Sequence, residues 1–269
     1  MPVRHDVTYD EWHGALLARL AQAPAGSPAQ LRSLSLRGLG IRWGVYCDRD
    51  AELFAPFTGL EEVDLSDNDI DVVWLPFDKL PRLRKLDLSR NDLGYWAATD
   101  QCPLDRLGGP SLRELSVADN AMGHVRLTAA APFAAGLRAL DVSSNAFPAG
   151  YEAVRGSLRP LLRLCPLERL EALRARGNLI REVPKLGRFP ALRELDLGEN
   201  PLQCNFQHLL ALPQLEALTL DRVGLRRVPA ALFELKRLRR LDLSGNELPA
   251  PELRRLREAL RGVELRPEG

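Results

Sequence analysis

The chain has 269 residues, of which 45% are hydrophobic and 27% are charged, and its formal net charge is +1 at pH 7. This balance indicates a surface of mixed sign and argues against a dedicated binder of polyanions. Residues 1–150 carry 15 Lys and Arg against 20 Asp and Glu, whereas residues 151–269 carry 22 against 16. The net charge is therefore −5 for residues 1–150 and +6 for residues 151–269. Screening by salt over about 8 Å limits the distance at which this difference can orient a partner.

The sequence suggests an intracellular location. No basic region followed by an apolar core opens the chain, and no run approaches the roughly 20 apolar residues that span a bilayer. The four cysteines lie far apart and form no C-x-x-C pair, which favours reduced thiols over disulfides or a zinc site: Cys47, Cys102, Cys165 and Cys204. We therefore expect a cytoplasmic protein without metal.

The first predicted element is an amphipathic helix at Tyr9–Ala23. Apolar residues recur in it at helical spacing, namely at Trp12, Leu16, Leu17 and Leu20. The sequence after this helix consists of repeats, as described below, and the exposed edge of the first strand in a stack of repeats must be covered. We therefore assign residues 1–30 to an N-terminal helical cap.

A short motif then recurs along the chain, and its clearest copy is Leu83–Leu93, L-R-K-L-D-L-S-R-N-D-L. Leu86 and Leu88 are two residues apart, so they lie on one face of a strand while Asp87 points to the other face. The chain must turn after the strand, where the amide of Asn91 can both donate to and accept from backbone groups that would otherwise be unpaired.

This motif resembles the signature of the leucine-rich repeat family, L-x-x-L-x-L-x-x-N-x-L. Nine copies occupy residues 31–248, and their first leucines are Leu31, Leu60, Leu83, Leu112, Leu137, Leu170, Leu192, Leu215 and Leu238. The asparagine position predicts a structural ladder of Asn68, Asn91, Asn120, Asn145, Asn178, Asn200 and Asn246. The resemblance implies an α/β fold, a right-handed βα solenoid shaped as an arc with a concave parallel sheet.

Two features refine this resemblance. Residues 180–184 and 225–229 read I-R-E-V-P and L-R-R-V-P, which is similar to the short intracellular or bacterial type of repeat. Val223 occupies the asparagine position of the eighth copy, and because an apolar side chain cannot bond the backbone, we expect a local shift or a water there. Leu39 holds this position in the first copy.

The longer copies leave room for helices, most clearly at Tyr151–Leu164. After the last copy, Pro251 opens a helix that runs to Leu260, and residues 262–265 repeat the strand pattern. Since Leu260 follows Leu238 by 22 residues, we assign residues 249–269 to a C-terminal cap of one helix and a half-repeat.

The strand positions opposite the leucines form what we call the concave face, which in the resembled family usually binds a protein. Five copies carry an aspartate there: Asp64, Asp87, Asp141, Asp196 and Asp242. Only Asp64 and Asp87 belong to neighbouring copies, so solvated residues typical of the family are favoured over a continuous acidic binding stripe.

Arg174 is the exception on this face, between Asp141 and Asp196, and Arg176 follows with the same orientation. Two interpretations are open: a ladder of ion pairs between strands, or an arginine anchor for a partner. A second candidate surface is the rim after the strands, where Trp43, Trp74 and Tyr95 either form a docking patch or pack under the long loops.

No sequence feature indicates catalysis, since the chain lacks a phosphate-binding glycine loop, a nucleophile motif and histidines at metal-ligand spacing. We expect a protein without cofactor that acts as a scaffold or regulator and binds a protein partner through the concave face or the aromatic rim. Two alternatives are a targeting module of a bacterial effector and an adaptor that binds nucleic acid or anionic membrane through its arginine-rich C-terminal end.

Overall fold

The computed structural model describes residues 14, 17, 18, 21, 28–42, 53–71, 73, 75, 77–94, 109–122, 131–145, 167–183, 186–187, 189–203 and 206–266. These residues build one parallel sheet of ten strands that lie side by side in chain order. The strands β1 to β10 are Ser33–Ser35, Glu62–Asp64, Lys85–Asp87, Glu114–Ser116, Ala139–Asp141, Ala172–Arg174, Glu194–Asp196, Ala217–Thr219, Arg240–Asp242 and Glu264–Arg266. Because each strand pairs with the next one in sequence, the repeats stack as a leucine-rich repeat solenoid.

The return segments contain little regular helix in the described part of the chain. Five short 3-10 turns are Pro28–Gln30, Phe77–Lys79, Ala134–Gly136, Gln207–Ala211 and Ala230–Glu234. One α-helix, α1, spans Ala250–Ala259 and buries Leu253 and Leu256. Proline in its first turn suits the start of a helix, because the amide that proline lacks has no partner there in any case.

The core is a continuous apolar layer behind the sheet. Leu86 and Leu88 are 1% and 0% exposed, as the alternation predicts, and the equivalent residues of the other copies join them in a single cluster. Each fully buried aliphatic side chain contributes about 1.5 to 3 kcal/mol, which is too little for one copy to offset its own conformational entropy. The copies are therefore stable only as a stack.

After each strand the chain turns sharply through a left-handed residue that immediately precedes the asparagine position. Six of these residues are not glycine and have φ between 50° and 62°: Asp67, Arg90, Asp119, Ser144, Glu199 and Arg222. Glycine serves at Gly38, Gly177 and Gly245. The left-handed conformation costs roughly 1 to 2 kcal/mol for a residue with a Cβ, so the surrounding hydrogen bonds must stabilise the turn.

A tenth strand, β10, follows the last copy and pairs with β9, but its register differs from the one that the sequence pattern predicts. Leu265 pairs with Leu241, an offset of 24 residues, whereas the sequence pattern places Val263 at that position. The expectation of a 22-residue spacing is therefore wrong. Gly262, at φ 88°, forms a turn after α1, and this turn uses two more residues before the strand can begin.

Several predicted features lie mainly or wholly outside the described residues. Of the helix expected at Tyr9–Ala23, only positions 14, 17, 18 and 21 are described, and they are helical and exposed. The helix expected at Tyr151–Leu164 and the four cysteines are outside. In the described part of the chain, no helix has the length and apolar character needed to cross a membrane.

Candidate functional site

The outward residues of the strands form two columns on the concave face. The first strand positions are Ser33, Glu62, Lys85, Glu114, Ala139, Ala172, Glu194, Ala217, Arg240 and Glu264. The third strand positions are Ser35, Asp64, Asp87, Ser116, Asp141, Arg174, Asp196, Thr219, Asp242 and Arg266. Two hollows open on this face: an N-terminal hollow of about 350 Å³ over β3 to β6, and a C-terminal hollow of about 200 Å³ over β6 to β10. Arg174 lines both.

Arg174 is exposed, and the sheet register places it beside Asp141 and Asp196. Its guanidinium nevertheless makes no hydrogen bond or ion pair with any residue that the structure describes. The other basic residues of the two columns are paired: Lys85 with Glu114 at 4.0 Å, Arg240 with Glu194 at 3.2 Å and Arg266 with Glu264 at 2.9 Å. Arg174 is thus the one basic side chain of these columns without a partner among the described residues.

The two flanking aspartates are turned towards their own loops. Asp141 Oδ1 accepts the Ser143 N–H at 2.9 Å, and Asp196 Oδ1 accepts the Gly198 N–H at 2.9 Å. One oxygen of each carboxylate closes the turn after its strand, and neither carboxylate forms an ion pair with Arg174, although the register places them side by side.

The other three aspartates of the face repeat this arrangement. Asp64, Asp87 and Asp242 accept the N–H two residues later at 3.0, 2.8 and 2.9 Å, and each also accepts a serine hydroxyl there at 2.6 to 2.7 Å. The aspartates therefore shape the backbone turn. This role supports the interpretation that they are typical repeat residues and not a continuous acidic stripe.

Arg176, in contrast, is paired with two acids of the following copies. Its Nη1 donates to Asp221 Oδ1 at 2.6 Å, its Nη2 donates to Asp221 Oδ2 at 2.7 Å, and the same Nη2 lies 3.0 Å from Glu199 Oε1. Arg222 binds the same two carboxylates, at 3.2 and 3.1 Å. Of the two interpretations left open by the sequence, Arg176 thus forms ion pairs, within a neutral network of two arginines and two acids.

Gly198 makes this network possible. Arg176 belongs to the sixth copy and Asp221 to the eighth, so their side chains meet across the seventh copy, over two strand spacings or about 9.6 Å. A Cβ at Gly198 would overlap Asp221 Oδ1 and lie 2.5 Å from Arg176 Nη1. We call Arg176, Gly198 and Asp221 the three-repeat brace.

The brace was missed in the sequence, although an alignment of the copies carries a signal for it. Its three members occupy the same motif position, two residues after the third strand position, in three consecutive copies. Serine holds this position at Ser66, Ser89, Ser143 and Ser244. An arginine and an aspartate that flank a glycine in this column indicate a pair that spans the intervening copy.

The brace also fixes the ionisation of its members. Burial by itself acts to raise the pKa of Asp221, which is 4% exposed, but the hydrogen bonds and charges of Arg176 and Arg222 outweigh burial and hold that pKa below its ordinary value. The hydrogen bond to Asp221 likewise raises the pKa of Arg176. A depressed carboxyl pKa stabilises the fold above the ordinary pKa, and this stability is lost as the pH falls through the folded pKa.

The pKa of Asp196 shifts in the opposite direction, and this shift gives a testable pH dependence of stability. Burial raises the pKa of Asp196. The hydrogen bond from the Gly198 N–H and the positive charge of Arg176 both lower this pKa, but their effect is smaller than that of burial. A raised pKa means that the charged form is disfavoured in the folded state. Asp196→Asn keeps an acceptor for Gly198, so we expect a higher urea midpoint than wild type at pH 7. The gain should shrink as the pH falls and vanish near about pH 4, and an equal or lower midpoint at pH 7 would contradict the burial argument.

The asparagines form hydrogen-bonded steps inside the turns. Asn200 shows the full set of bonds: its oxygen accepts the N–H groups of Asn178 and Ile180 at 2.9 Å each, and its amide nitrogen donates to the carbonyls of Ala175, Leu197 and Gly198 at 2.9 to 3.0 Å. Similar bonds link the neighbouring copies through Asn68, Asn91, Asn120, Asn145, Asn178 and Asn246. These side chains hold the turns that position the concave face.

Val223 interrupts the ladder, and the hydrogen bonding changes at that point. At the other described turns, the N–H two residues after the asparagine position bonds to the asparagine of the next copy, as Ile180 does to Asn200. At the corresponding place Leu202 N–H instead donates to the carbonyl of Asn200 at 2.8 Å. Val223 itself is 2% exposed and joins the core, so its apolar burial accompanies the lost side-chain bonds.

Trp43, Trp74 and Tyr95, the predicted aromatic rim, all lie outside the described residues. Among the residues that the structure does describe, no three His, Cys, Asp or Glu side chains are grouped so that they could hold a metal ion.

Comparisons with known proteins agree with the repeat architecture. The family model described as Leucine Rich repeat matches residues 79–95, which include β3 and Asn91. A search of curated proteins found no significant match. Among solved structures, the chain is similar to the crystal structure of an internalin from Listeria monocytogenes, with a TM-score of 0.49 and 16% identity over 96% of this chain and 88% of that chain. The recurring motif, the ten-stranded parallel sheet and the matched copy together show that this chain is a leucine-rich repeat protein.

Proposed function

We propose that this protein is a non-enzymatic binding module that recognises a protein partner through its concave face, as a scaffold or regulator. Leucine-rich repeat folds commonly mediate protein binding. The face offers two hollows and a sheet whose turns are held by hydrogen-bonded asparagines, so little ordering is needed when a partner docks.

The observation that carries the proposal is the state of Arg174. An exposed guanidinium between two hollows, without a bond to the described residues, has donor groups that a partner can use. Arginine is also among the residues enriched at the energetic centres of protein interfaces. Arg176, two residues later, is a structural arginine by comparison, because both of its Nη atoms contact Asp221 or Glu199.

The alternative of a nucleic-acid or anionic-membrane adaptor receives less support. Arg226, Arg239 and Arg240 at the basic end lie 3.3, 3.7 and 3.2 Å from Glu247, Glu216 and Glu194. Arg255 stacks over Phe233 at 5.1 Å. These acids offset part of the positive potential at this end, which makes it less suited to binding phosphate groups. The targeting role and the cytoplasmic location stay predictions.

A charge reversal at Arg174 tests the proposal. Tagged wild-type protein and Arg174→Glu are used to capture partners from extracts of the source organism, with quantitative mass spectrometry. We expect at least one protein to be captured by wild type and reduced by about tenfold or more with the variant, as for a residue at the centre of an interface.

Arg254→Glu is the matched control. Arg254 is an exposed arginine on α1, away from the sheet, so its reversal changes the net charge equally and leaves the concave face intact. Both variants should unfold at the wild-type urea midpoint. A partner list that is unchanged by Arg174→Glu, or that responds equally to both variants, would contradict recognition by the concave face.

A further inference from the structure

The charges around Arg174 define what kind of partner surface fits this face. In the third strand positions of β5, β6 and β7, Asp141, Arg174 and Asp196 follow one another in register. We call these three residues the charge triad. The guanidinium has no bond within the described residues, and each carboxylate has one oxygen outside the turn bond that it makes.

The triad selects against a uniformly charged ligand. A polyanion would meet two carboxylates for one guanidinium, and a uniformly basic segment would place a cation against Arg174. Like charges brought together at an interface cost several kcal/mol. The complementary surface therefore carries a carboxylate between two basic groups.

The spacing of the triad then favours one secondary structure for the partner. Neighbouring strands lie about 4.8 Å apart, so the two aspartates are about 9.6 Å apart. Seven residues of an α-helix rise about 10.5 Å, and side chains at i, i+3 and i+7 share one face. In an extended strand, side chains on one face recur every two residues, so the third lies about 13 Å from the first. The helix matches the triad and the strand does not.

The neighbouring column provides room for a helix. Beside the triad, the first strand positions are Ala139 in β5, Ala172 in β6 and Glu194 in β7, whose carboxylate lies 3.2 Å from Arg240, and Ala217 follows in β8. Ala139 lines the N-terminal hollow, and Ala217 lines the C-terminal hollow. The small alanine side chains let a helix of the partner approach the sheet. The charged residues of that helix can then reach the triad from the side.

We propose that the partner docks an amphipathic α-helix along the concave face, with an acidic residue on Arg174 and a basic residue one turn to each side, on Asp141 and Asp196. This inference rests on the proposed function and specifies the partner class of the same site.

Synthetic peptides test the inference with the full chain. The matched peptide is an alanine-rich helix of about 18 residues with Lys, Glu and Lys at i, i+3 and i+7, labelled for fluorescence anisotropy. The reversed peptide has Glu, Lys and Glu at these positions, and the displaced peptide carries the same residues with the glutamate on the opposite face. The proline peptide keeps the matched residues and contains a central proline that prevents helix formation.

We expect the matched peptide to bind at least about fivefold more tightly than the other three, the ratio that corresponds to one ion pair of about 1 kcal/mol. Arg174→Glu should reverse the choice, so that a peptide with three lysines at these positions binds more tightly than the matched peptide. Arg254→Glu should leave the wild-type ranking unchanged.

The inference is overturned if the matched peptide does not bind, if the displaced peptide binds equally well, or if the proline peptide does. These outcomes leave the proposed function intact when the capture experiment still finds a partner that depends on Arg174. Loss of that dependence in the capture experiment contradicts the proposed function itself, so the two failures are distinguishable.

Discussion

Replacing Asn200 with alanine should lower the free energy of unfolding by about 3 to 5 kcal/mol. The side chain is 0% exposed, and its removal leaves the buried N–H groups of Asn178 and Ile180 without their acceptor. Each unsatisfied buried group costs about 1 to 3 kcal/mol. Urea unfolding followed by circular dichroism measures the loss. Hydrogen exchange at these two turn amides should be faster in the variant than in wild type, by more than at the amides of the sheet.

Gln203→Ala is the control for Asn200→Ala. Gln203 is an exposed amide three residues later, so its truncation should change stability by less than about 0.5 kcal/mol. The turn before Val223 shows an alternative bond that would weaken this effect. Because Val223 offers no side-chain acceptor, Leu202 N–H of the preceding copy bonds to the nearby carbonyl of Asn200. A loss below about 1 kcal/mol would mean that Asn178 and Ile180 find a similar substitute.

Gly198→Ala should cost about 2 to 3 kcal/mol, because the added methyl group separates Arg176 from Asp221. Gly198 is not left-handed, so the backbone accommodates alanine and most of the cost comes from the brace, with Asp196 Oδ1 at 3.2 Å as a further close contact. Separation leaves a carboxylate that is 4% exposed without its main partner, although Arg222 still lies 3.2 Å away. That remaining contact keeps the cost below the 3 to 5 kcal/mol typical of a fully broken buried pair.

A mutant cycle separates the brace from other effects of the methyl group. In an Arg176→Ala, Asp221→Ala background the two closest atoms to the added methyl group are removed and Asp196 Oδ1 remains, at 3.2 Å, so Gly198→Ala should change stability by less than about 1 kcal/mol. Gly187→Ala is the matched control in wild type, because the nearest atom to its Cβ is Ala211 Cβ at 3.9 Å. If Gly198→Ala destabilises both backgrounds equally, the explanation through the brace is incorrect.

The brace also bears on the candidate site, since Arg176 lies two residues after Arg174. It ties the turns of the sixth to eighth copies together beside the charge triad, and it holds the loop of Asp196 through the same glycine. Arg174 has no partner among the described residues, whereas Arg176 is paired. In the function that we propose, Arg174 contacts the partner and Arg176 fixes the surface on which that partner docks.

Much of the fold could be predicted because the leucine-rich motif is a local pattern. Leu86 and Leu88 are buried and Asp87 faces outwards, since the alternation of a strand fixes the face of each side chain. The expected C-terminal register was wrong by two residues, because the turn at Gly262 sets where β10 begins. The spacing of leucines does not encode the length of that turn.

The sequence by itself determined the number and order of the motif copies, the apolar layer and the column positions of Asp141, Arg174 and Asp196. Only the tertiary structure decided which charges are paired. Pairing depends on how far a side chain reaches across stacked copies, and that reach is set by neighbours distant in sequence. Arg176 reaches Asp221 because Gly198 has no side chain between them, whereas Arg174 is without a described partner although Asp141 and Asp196 flank it, each with one oxygen bonded to its own turn.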